Sequence, residues 1–518
     1  MVMKSRRSFL TSSLATVGAT ALPAWRSVRA ADLRFRSNPF SLGVASGCPS
    51  PGSVVLWTRI APSPLEPGGG VVPGVVPVRW ELATDEKMVK VVRRGTQYAT
   101  PEWAHSVHVE PDGLDAARDY WYRFTAGNAQ SVIGRTRTAP AFGAAAAHLR
   151  MSVVSCQHYE QGYFTSYRHM LDDNLDLIVH VGDYIYEVSF GENLVRSHAS
   201  PEPFTLDDYR IRYALYKSDA DLAAAHASCP WLVTWDDHEV ANDYAGTTSE
   251  DDDEPELFLA RRAAAYRAYY EHMPLPRRAV PFGPNMRLYL QRAFGDLASV
   301  FLLDQRQYRS PEACHPPGRR GGNRVRNCAE LEDPSRTMLG SRQEEWLYAG
   351  LARSGARWNL LAQGTVMAYL DEDPGPDRVF WTDAWNGYPA ARARLYDALV
   401  ERRVANPVVL SGDIHAFGVS RLNRVPANPD SPVIGSELVT TSVTTRGVPQ
   451  KTVDGWRKAN PDILLLDSQQ RGYLRLDLTR ERLQADLVAV DSEKAPRSET
   501  RIFRSFVIED GRPGPIAL

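Results

Sequence analysis

Residues that can bind metal cations follow five apolar, strand-like segments of this sequence. They are Cys156; Asp183 and Tyr186; Asp236, Asp237 and His238; Gln363; and Asp413 and His415. Taken singly, an Asp after a strand is most often a helix N-cap, and a His there is most often bound to a backbone carbonyl. In α/β sheets, however, the carboxyl ends of the strands meet at one edge, where sites are built. The recurrence of the pattern predicts that these side chains gather into one metal site.

The segments that must position these side chains alternate between strands and helices. An apolar strand-like run precedes each group, at residues 150–155, 175–181, 231–235, 359–362 and 407–410. Helices are predicted at residues 162–173, 221–227, 255–271, 341–354 and 389–402. A capping box formed by Ser341 and Glu344 marks the predicted start of the fourth helix. The alternation predicts an α/β (α+β) domain over residues 148–518, with β-sheets covered by helices.

A different pattern occupies residues 35–140. Short runs rich in β-branched and aromatic residues are separated by Gly and Pro clusters, such as residues 67–70. This spacing predicts a small all-β sandwich of the immunoglobulin or fibronectin type. A packing role for this domain is favoured over carbohydrate or partner binding, because no group of chemically active residues lies in it. The Ala-rich residues 139–148 are interpreted as the linker.

The first 30 residues have the layout of a twin-arginine export signal. Arg6 and Arg7 precede a modest apolar stretch and the small residues Ala30 and Ala31. Thr, Ser, Gly and Pro interrupt this stretch, so a membrane anchor is disfavoured, and no later segment is apolar enough to span a bilayer. We therefore expect recognition by the twin-arginine machinery and a periplasmic or secreted protein. The 60 basic and 62 acidic residues nearly cancel, which argues against nucleic-acid binding.

Five cysteines leave at least one thiol without an internal partner in an oxidising compartment. Cys314 and Cys328 flank a loop rich in Gly, Pro and Arg, and a disulfide between them is predicted. Cys48 and Cys229 are interpreted as core residues. The four arginines of this loop favour a solvated surface over an anion-attracting patch, and the acidic residues 249–256 are also interpreted as a solvated loop.

Four motifs in this chain resemble the signature blocks of PhoD-type alkaline phosphatases, a branch of the metallophosphoesterases related to purple acid phosphatases. They are Gly182 to Glu187 (GDYIYE), Trp235 to Tyr244 (WDDHEVANDY), Asp304 to Arg309 (DQRQYR) and Ser411 to His415 (SGDIH). The segment Gly43 to Gly47 (GVASG) is similar to the start of the N-terminal domain of that family. Cys48 departs from the pattern, since an Asp follows that glycine in most members.

This resemblance implies a metallophosphoesterase fold and a set of metal ligands. Asp183 would bridge two cations, while Cys156, Tyr186 and His415 would bind Fe3+, for which a phenolate is a hard, anionic ligand. The second cation would be bound by Asp183, Asp237, Asp413 and Gln363. This oxygen-rich set favours Ca2+ over zinc, because zinc sites of the superfamily contain more histidines.

The implied function is an exported, metal-dependent phosphoesterase that hydrolyses phosphate esters by attack of a metal-bound hydroxide. His238 would act as general acid or position the phosphate, the alternative being a residue that orients a ligand. Asp236 and Asn242 are expected to contact the metal ligands from outside the site or to lie near the substrate. Two other functions stay open: a phosphodiesterase or phospholipase D-like activity at the same site, and a catalytically silent extracellular binding protein.

Overall fold

A computed structural model describes residues 33–71, 74–428 and 430–518. The predicted export signal lies outside these residues. The helices that the structure describes include none with the length and hydropathy needed to cross a membrane.

The larger sheet has ten strands and spans most of the chain. In spatial order they are β24 (Arg512–Ala517), β23 (Thr500–Glu509), β22 (Arg482–Val490), β21 (Arg471–Thr479), β9 (His148–Val154), β10 (Leu177–Val181), β11 (Pro230–Thr234), β1 (Val44–Ser50), β2 (Ser53–Arg59) and β5 (Ser106–Val109). Strands β9, β10 and β11 pair in parallel at its centre. Their continuous apolar sequences fit this position, because parallel strands are covered on both faces.

The second sheet has seven strands and packs against the first. In spatial order they are β12 (Leu290–Phe294), β13 (Ala298–Leu302), β15 (Trp358–Ala362), β17 (Pro407–Ser411), β19 (Val433–Val439), β18 (Phe417–Asn423) and β20 (Ile463–Asp467). One buried cluster joins Val153 and Leu232 of the first sheet to Val300, Leu360 and Leu410 of the second. The hydrophobic core therefore lies between the sheets.

Helices cover the outer faces of both sheets. They are α1 (Thr165–Met170), α2 (Leu206–Lys217), α3 (Ala220–Ser228), α4 (Pro255–His272), α5 (Ser341–Arg353), α6 (Pro389–Glu401) and α7 (Gln450–Ala459). The first predicted helix is shorter than expected, and α2 and α7 lie where no helix was predicted.

The capping box predicted at Ser341 is wrong. Gly340 is the N-cap residue of α5, and no side chain caps the helix there. The Glu344 carboxylate instead accepts hydrogen bonds from the Thr337 hydroxyl and from Arg394. The Thr337 hydroxyl accepts from the Gly340 N–H, so a residue four positions before Ser341 stabilises this turn.

Residues 44–137 form two packed layers of strands. One layer consists of β1, β2 and β5, and β1 pairs in parallel with β11, so this layer extends the ten-stranded sheet. The other layer consists of β4 (Val91–Ala99), β3 (Val76–Ala83), β6 (Asp119–Ala126), β7 (Ala129–Gln130) and β8 (Gly134–Arg137). Leu56, Val78 and Phe124 belong to the core between the layers.

The disulfide predicted between Cys314 and Cys328 is confirmed, with their Cα atoms 6.2 Å apart. A small sheet of β14 (Arg324–Val325) and β16 (Phe380–Trp381) holds the end of this loop. The four arginines of the loop each pair with a carboxylate: Arg319 with Glu250, Arg320 with Asp252, Arg324 with Glu372 and Arg326 with Asp373. The acidic segment is thus only partly solvated, since Ser249 is buried and Glu250 also binds Asn242.

Candidate metal centre

The backbone is strained where three strands of the two sheets end. Cys156 follows β9, Asp183 follows β10, and Asp413 and His415 follow β17. These residues have φ values of 57°, 57°, 68° and 52°. Side-chain-bearing residues seldom adopt this left-handed conformation, and such strain persists where surrounding structure holds it, often at functional sites. The strain therefore coincides with the sequence-predicted ligands.

Close contact between strand ends requires glycine at two of these turns. A Cβ atom on Gly182 would lie 2.5 Å from the Asp236 Cβ, and Gly182 has a φ of 117°. A Cβ atom on Gly412 would lie 2.5 Å from the Ser155 hydroxyl oxygen. Any side chain at either position would force the strand ends apart.

One group of donors consists of Cys156, Asp183 and His415, whose potential ligand atoms all lie within 4.8 Å of one another. The Tyr186 hydroxyl donates to Asp183 Oδ2 at 2.8 Å and contacts His415 Nε2 at 3.1 Å. His415 Nδ1 donates to the Arg446 carbonyl at 3.0 Å. That bond leaves the Nε2 lone pair directed at the group, as a metal-binding histidine requires.

A second group shares Asp183 with the first. Potential ligand atoms of Asp183, Asp237 and His238 also lie within 4.8 Å of one another. Asp183 Oδ1 is buried and has no hydrogen-bond partner among the described residues. A buried carboxylate oxygen without a partner is costly, and a cation would offset that cost. The donor set therefore fits the binding of cations, and Asp183 is a member of both groups.

The pKa shifts of the donor side chains agree with this fit. Burial, with Asp183 nearby, raises the pKa of the Cys156 thiol well above its usual value. Burial and three neighbouring carboxylates raise the pKa of Asp413 in the same direction. These groups disfavour each other's anionic forms, and a bound cation reverses that effect.

His238, the third member of the second group, is held by Glu187. Its Nδ1 donates to the Glu187 carboxylate at 2.7 Å, and its ring centroid lies 4.1 Å from that of Tyr186. Burial alone would lower the pKa of His238, but Glu187, Asp237 and Asp183 together raise it well above the usual value. These carboxylates favour the charged form of the imidazole, and the contact with Glu187 leaves Nε2 free for another partner.

Arg306, fully buried, fixes the aspartates of the second block. It forms two hydrogen bonds to Asp383, at 2.7 and 2.8 Å, and a further one to Asp236. A guanidinium nitrogen also lies 3.5 Å from Asp237 Oδ1. Arg306 lowers the pKa of Asp237 against the effect of burial, while burial raises the pKa of Asp236 to about 6. Asp236 thus forms an ion pair with Arg306, next to Asp237 in the sequence.

The remaining candidates have different surroundings. The Gln363 carbonyl oxygen accepts from Gln305 and Trp385, and its amide nitrogen donates to Thr365 and Ser411. Those contacts suit a positioning role, and metal binding by Gln363 stays a prediction. Asp413 lies near Cys156, and its charge contributes to the raised pKa of that thiol. Asn242 donates its backbone N–H to Glu187 and its side-chain amide to Glu250.

Sequence reasoning missed Glu239, which connects the two central strand ends. Its buried carboxylate accepts N–H groups from Asp183 at 3.1 Å, Tyr184 at 2.6 Å and Asp236 at 2.9 Å. Burial raises the pKa of Glu239 to about 8. Glu239 directly follows His238, so it stands beside a residue that the sequence singled out. Its contacts with residues more than 50 positions earlier cannot be inferred from one sequence.

Replacing Glu239 by Gln is expected to lower the free energy of unfolding by about 2–4 kcal/mol, because an amide has one accepting oxygen for three buried N–H donors. Thermal unfolding of the purified protein measures the change. Glu345→Gln, an exposed change on α5, is the matched control. Equal melting temperatures for both variants would contradict the connecting role of Glu239.

The ends of strands from the two sheets therefore bring together groups of side chains that could bind cations. The model of the PhoD-like phosphatase family matches residues 151–487, and that of the PhoD-like phosphatase N-terminal domain matches residues 26–140. The chain belongs to the PhoD-like phosphatase family.

A similar protein and a similar solved structure support this family assignment. Alkaline phosphatase D of Bacillus subtilis (strain 168) is 44% identical over 488 residues, which are 93% of this chain and 82% of the relative. A solved structure of PhoD superposes with a TM-score of 0.89 at 43% identity, covering 94% of this chain and 93% of that one. This protein is therefore a phosphoric ester hydrolase with a mixed α/β fold of several sheets, and a silent binding protein is disfavoured.

Proposed function

We propose that this hydrolase is an exported alkaline phosphatase D-like enzyme in which two or more cations at the strand ends are essential. The observation that carries the proposal is the position of Asp183. It belongs to both donor groups, and its Oδ1 is buried without a partner among the described residues. A carboxylate in that position suits a bridge between two cations.

The proposal includes the finer division of the chain. Residues 148–518 form a metallophosphoesterase fold, residues 35–140 form the N-terminal sandwich, and residues 1–30 direct export by the twin-arginine machinery to the periplasm or medium. The family match over residues 151–487 supports the first point, and the separate N-terminal match and the two packed strand layers support the second. The paired arginines of the leader support the third.

The proposed cations are Fe3+ and Ca2+. Cys156, Asp183, Tyr186 and His415 would hold Fe3+, because thiolate and phenolate are anionic donors suited to it. Asp183, Asp237 and Asp413 would hold Ca2+, because their donors are all carboxylate oxygens. Such cations bind phosphoryl oxygens, offset their charge and lower the pKa of water.

The residues of the chain supply the rest of the mechanism. Arg306 keeps Asp237 ionised and fixed, so the phosphate-binding face keeps its shape. Glu187 accepts the Nδ1–H of His238 and leaves the Nε2–H to face the ester. As the bond from phosphorus to the leaving oxygen breaks, that proton passes to the oxygen, and the alcohol departs neutral.

A phosphodiesterase activity of the same site is the second candidate, because the donor groups do not distinguish a monoester from a diester. The test is to assay p-nitrophenyl phosphate and bis(p-nitrophenyl) phosphate side by side, with metal analysis of enzyme exported through its own signal. Faster turnover of the monoester supports a phosphatase, and faster turnover of the diester supports a phosphodiesterase. Failure to hydrolyse either ester contradicts the proposal.

A further inference from the structure

A cavity of about 540 Å³ adjoins the candidate metal centre. The residues that line its walls come from three places: Gln161 with residues 191–193, Thr444 with residues 446–450 after β19, and Ser468, Gln469, Arg471, Glu493 and Lys494 near β21 and β22. Residues 445 and 446 also contact the donors. Thr445 donates to the Tyr186 hydroxyl at 3.0 Å, and the carbonyl of Arg446 accepts from His415 Nδ1. The cavity and the metal centre thus share a wall.

The Arg446 backbone is fixed while its side chain is free. Gln161 accepts the Arg446 N–H at 2.8 Å and donates its amide to the Phe190 carbonyl at 3.1 Å, so it ties the two walls together. The Arg446 guanidinium is exposed, and in the described part of the chain no carboxylate lies within 4.0 Å of it. A cation held in this way is available for an anionic ligand.

The other charges of the cavity do not neutralise Arg446. Lys494 adds a second exposed positive charge. Burial lowers the pKa of Arg471 to about 10, and Glu493 is the charge that opposes this most. Arg471 also contacts the backbone carbonyl groups of His415 and Ser468. Glu192 is the one remaining carboxylate among the lining residues, which therefore have three positive and two negative side chains, a net charge of +1.

Phe190 connects the first wall of the cavity to His238. It directly precedes the lining residue Gly191, it is 38% exposed, and its ring is stacked 6.3 Å from the imidazole of His238. The leaving group of a bound ester must depart past His238, since that residue would protonate it. Arg446 lines the same cavity, and its backbone carbonyl accepts from His415 Nδ1.

We propose that this cavity binds the alcohol part of the substrate, and that Arg446 selects esters whose alcohol part carries a second anionic group. The inference rests on the proposed function, because it takes the phosphate to lie at the metal centre. The shared chemistry is an anion on the alcohol part of the ester, either a carboxylate or a second phosphate. Arg446 is thereby a specificity-determining residue, with no part in the chemical step.

The test compares non-hydrolysable ligands with and without the second anion. Binding of 3-phosphonopropionate and propylphosphonate to the purified full chain is measured by calorimetry. Wild-type protein is expected to bind the carboxylated ligand about tenfold more tightly, since a charge-assisted contact of this kind is gained. Propane-1,3-bisphosphonate in parallel separates a preference for phosphate from a preference for carboxylate.

The variants assign the preference to one residue. Arg446→Ala should reduce it to less than about twofold, and Arg446→Lys should restore part of it, because the charge is kept and the forked geometry is lost. Arg342→Ala, an exposed arginine at the start of α5, should leave it unchanged. Equal binding of both ligands by the wild type, binding of neither, or a preference that survives in Arg446→Ala would overturn the inference.

Failure of the proposed function gives a different result. Hydrolysis of p-nitrophenyl phosphate, whose leaving group has no second anion, should be the same in the wild type and Arg446→Ala. If neither the wild type nor Arg446→Ala hydrolyses p-nitrophenyl phosphate, the metal-centre proposal is contradicted. Full hydrolysis in both, without any ligand preference, contradicts the role of Arg446 alone.

Discussion

Asp183→Asn is expected to lower kcat/KM for p-nitrophenyl phosphate by about a thousandfold or more, because the bridge between two cations contributes several kcal/mol to transition-state stabilisation. An amide keeps the shape of the side chain but loses the charge that both donor groups share. Metal content should fall together with activity. Steady-state kinetics and metal analysis of the same preparation measure both.

The fold should survive this change. Asp183→Asn removes a buried carboxylate whose pKa burial raises well above its usual value, so the metal-free variant should melt at or above the temperature of the metal-free wild type. Asp454→Asn, an exposed change on α7, is the control for activity. Activity of Asp183→Asn within tenfold of the wild type would show that Asp183 is no bridge.

His238→Asn is expected to slow hydrolysis of alkyl phosphates by about 100- to 10,000-fold, the range for removal of a general acid. The effect on p-nitrophenyl phosphate should be much smaller, because p-nitrophenolate leaves without a proton. The measurement is the ratio of kcat values for glycerol 3-phosphate and p-nitrophenyl phosphate in the wild type and the variant.

The ratio separates two roles for His238. Equal losses for both esters would mean that His238 positions the phosphate and transfers no proton. His148→Asn, an exposed histidine at the start of β9, should change neither rate. The charged state of His238 depends on Glu187, so Glu187→Gln should reproduce the leaving-group dependence in weaker form.

The proximity of the donors could be predicted because it follows from a general rule about sheets. Cys156, Asp183 and His415 each lie within four residues of the end of a strand that pairs in parallel, and such strand ends converge. The structure brings these three together and places Tyr186 against two of them. The sequence could not give the distances, which depend on the left-handed turns that begin after each strand.

The contacts that hold the donors could not be predicted in the same way. Asp383, the main partner of Arg306, lies in an irregular segment 77 positions away, with no periodic pattern to place it. Glu239 looks like an ordinary helix-start residue until its three N–H partners are known. The pairing of β1 with β11 is equally non-local, so no local pattern indicates that the N-terminal strands extend the larger sheet.

The most direct test of the account is to measure metal content and activity together in freshly purified enzyme exported through its own signal. We expect iron and calcium to be present, with two or more cations in total per chain. Their removal should lower activity by about 100-fold or more, and activity should recover when both metals are restored. A metal-free preparation that cleaves p-nitrophenyl phosphate at the full rate would contradict the account.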